Sequence, residues 1–178
     1  MTSIDWLLIF LGVGVVVFFA VVGLMRALFT AIALWAVTLV SAATYTDVAF
    51  RVQAIGGSNP SLFHGIVFDA MLVIFLVVGY VLVYIAFPDT KLPKLGILDN
   101  LLGMVVGLVI AVVLVSLLLN SMGAMVSERW VTNEAGWASL RAQYFGSGLR
   151  PYTSSVLSAY GWLFALFFRG LPPVLFPQ

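Results

Sequence analysis

Residues 4–46 read IDWLLIFLGVGVVVFFAVVGLMRALFTAIALWAVTLVSAATYT, and between Asp5 and Asp47 the only charge is Arg26. As one straight helix, Ile4 to Thr44 would be about 60 Å long, twice the apolar thickness of a bilayer. The segment therefore has to fold back. The only plausible corner is GLMRA, where Gly23 loosens the helix and Arg26 seeks water. Two spans joined as a tight helical hairpin follow, meeting a membrane surface at Gly23–Ala27.

The rest of the chain obeys the same rule. Charge-free gaps run from Trp6 to Met25, Ala27 to Thr46, Ala70 to Pro88 and Asn100 to Ser127. Each holds a helix of about 20 residues. Unpaired backbone in lipid costs several kcal/mol per group, which removes open sheets. Runs such as VLVSLLL lack the alternation of a lipid barrel. The expected fold is all-α and integral to the membrane, with four transmembrane helices. The expected organisation is a transmembrane domain over residues 1–127 and a tail over 128–178.

Composition agrees. Of 178 residues, 63% are hydrophobic and 8% charged, and mean hydropathy is +1.16. A soluble domain carries about 25% charged residues. With no cysteine, disulfide frameworks, zinc–thiolate sites and thiol nucleophiles are excluded. A net charge of +1 leaves no face able to neutralise several phosphates, so nucleic acid is not a partner. The first span lacks the preceding basic residues and the following A-x-A site of a cleaved signal peptide, and is expected to remain.

The connections are TYTDVAFRVQAIGGSNPSLFH, read as a surface loop because Gly56 to Pro60 are turn formers, and PDTKLPKLGILDN, in which Pro88 and Pro93 stop helices and Lys91 and Lys94 reach headgroups. The positive-inside rule, applied to Arg26 and the short Lys91/Lys94 loop, places both in the cytoplasm and both termini outside. In the tail, the apolar run Val156–Phe168 is 13 residues long and aromatic, and ends at Arg169. It is short for a crossing, and reads as an amphipathic helix lying in the headgroup layer or docked on the bundle.

Chemistry-bearing residues are few. Gly103 and Gly107 form a G-x-x-x-G, a spacing that lets helices approach closely, with Gly12, Gly14, Ala20 and Gly23 as a smooth surface for them in the first span. Asp69, in HGIVFDAMLV, is a carboxylate one turn or so inside the third span. A proton or cation site is one reading. The structural reading, favoured here, places it at interface depth beside Arg51, Arg129 or a helix N-terminus. His64 lies five residues away, off the same helix face. With one histidine, no cysteine, no G-x-S-x-G, no H-E-x-x-H and no P-loop, no catalytic set or metal site assembles, and no cofactor is implied.

I-D-W before a long apolar run, G-L-M-R closing the first span, and L-G-I-L-D-N-L-L-G-M-V-V-G opening the fourth resemble the bacterial colicin V production family. The resemblance covers about Ile4–Ala124 and extends loosely into GSGLRPYTSSVLSAY. It implies a four-span inner-membrane protein linked to export and envelope maintenance. Asp99, Gly103 and Gly107 fall on family positions, as does Arg26 at the corner. The family usually has Arg-Gly at the corner and an acid a turn later, where this chain has Arg26-Ala27 and no acid before Asp47. A further Arg-Gly in the fourth span is Ile110-Ala111 here. Two functions follow: a non-enzymatic export or envelope protein, which would need a polar cavity within the bundle, or an accessory subunit of a larger respiratory or photosynthetic complex, which the depletion of charge and the aromatic tail fit slightly better. Lipid and membrane protein partners are expected in both.

Overall fold

The computed structural model describes residues 1–56, 59–87 and 96–162, and these are helical apart from short turns. The elements are α1 (Ser3–Val22), α2 (Leu24–Gly56), α3 (Pro60–Ala86), α4 (Ile97–Met125), α5 (Glu134–Phe145) and α6 (Arg150–Trp162). The first four are long and apolar enough to cross a membrane, which makes this a multi-pass membrane protein. Lys91, Lys94, Pro88 and Pro93 of the third connection lie outside the described residues, as do residues 163–178 of the tail.

The helices are built inside out relative to a soluble protein. Phe10, Val21, Ile32, Ile85 and Val109 are exposed, while Thr38, Ser41, Ser116 and Ser121 are almost fully buried. The outer apolar faces need no protein partner in lipid. The inner faces use small or complementary shapes, because packing rather than water exclusion holds spans together.

The chain turns at a single residue. Gly23 has φ +95, a conformation other residues rarely adopt, and α2 begins at the next position. The corner is where the lone arginine indicated, but α1 and α2 do not lie along one another as a tight hairpin. Both pack on α4, α1 antiparallel to it: Gly12 faces Ala111 and Val115, and Leu8 packs with Leu119. α3 fills the far side, between α2 and α4. Phe68 and Leu72 of α3 sit in one core with Leu34 of α2 and Leu117 of α4.

Two boundaries differ from expectation. α2 continues to Gly56 instead of yielding to a loop after Thr46, because its inward stripe continues: Ala42, Tyr45 and Ala49 are buried beyond the apolar run. At 33 residues it is about 50 Å long, so its charged end with Asp47 and Arg51 projects past the apolar layer. Gly57 and Ser58 of the expected turn lie outside the described residues, and α3 starts at Pro60 with Asn59 before it.

The tail helix begins at Arg150, six residues before the apolar run, and is docked on the bundle rather than set apart from it. α6 packs against α4, Leu157 enters the main core, and the Tyr160 hydroxyl lies 3.4 Å from Thr38 Oγ1. Thr38 is near the middle of α2's apolar run, so α6 descends into the bundle from the end that holds the N-terminus.

Candidate functional site

Two sequence stretches that are far apart in the chain meet at the corner. Asp99, in the first turn of α4, is buried, and its Oδ1 accepts a 3.0 Å hydrogen bond from Leu24 N–H at the start of α2. Leu24 follows Gly23 directly, so the N–H groups at that helix start have no partner within the helix. A carboxylate there satisfies one of them and meets the positive end of the helix dipole.

One and two turns along α4, Gly103 and Gly107 receive the end of α1. A Cβ on Gly103 would stand 2.6 Å from Phe19 O and 2.8 Å from the Gly23 carbonyl carbon. A Cβ on Gly107 would stand 2.7 Å from Phe19 Cβ. Of the smooth surface expected at Gly12, Gly14, Ala20 and Gly23, Gly103 meets Gly23, and the other close contacts of Gly103 and Gly107 are with Phe19. Gly12 faces Ala111 instead, and Gly14 faces open space.

Arg26 leaves the same corner toward α3. Its guanidinium lies 4.7 Å from the centre of the Tyr84 ring and donates to Phe87 O at 3.4 Å, while Phe87 stacks on Phe29 at 4.3 Å. Arg26, Asp99, Gly103 and Gly107 are thus one assembly joining α1, α2, α3 and α4. Its chemistry is that of a clamp.

Asp69 is elsewhere. With α3 starting at Pro60, it lies ten residues into the helix rather than one turn in, about 14 Å along it. It is within hydrogen-bonding reach of the Ser121 hydroxyl of α4, and its Oδ1 is buried without a hydrogen-bond partner. Neither expected arginine holds it: Arg129 pairs with Glu134, and Arg51 is exposed at the end of α2. His64 packs edge-on against Tyr45, the ring centres 5.9 Å apart. Around this depth the interior is polar, with Thr38, Ser41, Ser116, Asn120 and Ser121 buried. Thr38, Ser116 and Ser121 donate to carbonyls on their own helices, leaving their oxygen lone pairs as acceptors.

Sequence reasoning did not single out Asp5. It is fully buried and accepts from Thr2 N–H (2.8 Å), Gly148 N–H (3.1 Å) and the Ser147 hydroxyl, so it caps α1 and ties the turn before α6 to the N-terminus. The local half was legible as an acid three residues after Thr2; the Ser147 half was not. Asn59 plays a similar part, its Oδ1 accepting from Val131 N–H and its Nδ2 donating to Thr132 Oγ1, each at 2.7 Å.

The family described as Colicin V production protein matches residues 4–150 of this chain. The match takes in the whole clamp and the Asp5-bound turn, and ends as α6 begins. No curated protein and no solved structure matches.

Proposed function

The chain belongs to the colicin V production family, and from that premise we propose a non-enzymatic, multi-pass protein of the bacterial inner membrane that supports export or envelope maintenance. The observation that carries the reading is the polar seam inside the bundle, made of Thr38 and Ser41 on α2 and Ser116, Asn120 and Ser121 on α4. Ionisable and polar groups are expensive at membrane depth and cluster where a polar solute or a moving element needs them. The clamp keeps α1, α2 and α4 in register around that seam.

The test is genetic. A strain lacking the gene should lose resistance to detergent and release less of a colicin V-type peptide, with both restored by the wild-type gene. A deletion strain that exports and survives like its parent overturns the proposal. Stoichiometric purification with a respiratory or photosynthetic complex would replace it with the accessory-subunit reading.

A further inference from the structure

α1 and α4 separate along one side to leave an apolar groove of about 440 Å³, walled on its third side by α6. Small residues make its floor: a Cβ on Gly12 would lie 3.6 Å from Val115 and 3.9 Å from Ala111, so the glycine leaves room without being clamped. Val13, Val17 and Val112 line it from the spanning helices, Tyr152 and Val156 from α6.

We propose that this groove binds one acyl chain of an anionic phospholipid whose phosphate lies against Arg150. Length is the first argument. From Leu8 to Val17 the groove follows α1 for about 14 Å, close to the ~15 Å depth of one leaflet, half of a ~30 Å core. Position is the second. Tyr152, 73% exposed, lines its upper end, and Trp6, 52% exposed, precedes the lining residue Leu8 by two positions on α1; such aromatic side chains mark the membrane interface.

Charge is the third. Leu149 and Tyr152 line that end, and the exposed Arg150 lies between them in the chain, its guanidinium 5.1 Å from the centre of the Tyr144 ring and 4.7 Å from that of Phe145. Tyr144 packs in one cluster with Leu8 and Leu149, which line the groove. Among the described residues no carboxylate pairs with Arg150: Asp5 is consumed by Thr2, Ser147 and Gly148, and Glu134 by Arg129. An exposed cation above an acyl-sized groove matches a phosphate above its tail.

The test uses the full chain reconstituted with phosphatidylglycerol carrying a photoactivatable group mid-chain, or phosphatidylcholine with the same chain, and maps labelled residues by mass spectrometry. Labels should concentrate on residues 8–17 and 108–116, about fivefold more from phosphatidylglycerol, and Arg150→Gln should bring the two lipids to parity. Gly12→Leu fills the groove and should reduce labelling by both lipids. Val13→Trp does the same from a lipid-facing position, in case Gly12→Leu does not fold. Labelling spread over α1 and α3 in proportion to exposure and indifferent to these changes overturns the proposal. So does equal labelling by both lipids with Arg150 intact, or a groove occupied by a second copy of the chain.

Discussion

Asp99 Oδ1 and the Leu24 N–H are joined by a 3.0 Å hydrogen bond across 75 residues of chain. The bond lets a helix start inside a membrane protein immediately after another has ended. Gly23 supplies the geometry of the turn, and Asp99 supplies the acceptor that the turn removes. Between them they explain why an acid opens the fourth span directly opposite the corner.

Asp99→Asn keeps an acceptor oxygen and should change the melting temperature in detergent only slightly. Asp99→Leu leaves Leu24 N–H unsatisfied and should cost about 1–2 kcal/mol, the usual value of a lost N-cap. Equal stability of the two variants would mean that the bond contributes nothing.

Neither Gly103 nor Gly107 should tolerate a side chain. At Gly103 a Cβ meets backbone atoms of Phe19 and Gly23; at Gly107 it meets Phe19 Cβ, which the backbone also fixes, so no side-chain rotation relieves either contact. Gly103→Ala and Gly107→Ala should therefore each destabilise by about 1–3 kcal/mol, the range for overpacking. Thermal melts of both variants, alongside disulfide trapping between α1 and α4, check this, and an unchanged melt for either would remove that glycine from the contact.

What was legible in the sequence follows from the solvent. Lipid permits only closed backbone pairing, so gaps between charges located the four spans, and one arginine in a doubly long run located the corner. The end of α2 was not legible, because the charged residues after Thr46 obscure a stripe whose reward is contact with α3. Of the clamp, both halves could be named but not their meeting. Asp5 escaped because its partner Ser147 is 142 residues away, and a local pattern carries no sign of such a bond.

The latch at Asp5 has its own consequence. Asp5→Ala strands the N–H groups of Thr2 and Gly148 and the Ser147 hydroxyl, a loss on the order of 3 kcal/mol for bonds to a charged acceptor. The expected outcome is faster proteolytic cleavage at residues 146–149, with the four spans retained. Unchanged cleavage would show that α6 is held by its packing on α4 alone.

The orientation expected from the basic residues puts the corner at Arg26 in the cytoplasm and the N-terminal end, with α5, outside. A reporter active only in the cytoplasm, inserted after the exposed Val131, should be silent. Cysteine at position 26 should react with an impermeant thiol reagent only when the cytoplasmic face is open. Activity at Val131 would reverse the assignment, and a cysteine at 26 shielded from both faces would remove the corner from the membrane surface.

Asp69 is expected to serve the packing of α3 on α4 rather than transport. Transport carboxylates commonly sit among broken helices whose freed carbonyls help hold the ion. α3 is instead continuous from Pro60 to Ala86, and the hydroxyl within hydrogen-bonding reach of Asp69 is that of Ser121. Asp69→Asn keeps the shape and the link to that hydroxyl, and it adds donors while removing the charge. The variant should therefore complement a deletion strain as well as the wild type does, with a small change in detergent stability. Asp69→Leu, which cannot reach Ser121 with a polar atom, should be less stable than Asp69→Asn. The decisive measurement is proton and cation flux in proteoliposomes. A flux present in wild type and abolished in a correctly folded Asp69→Asn protein would make the buried Oδ1 a carrier site and the polar seam its pathway.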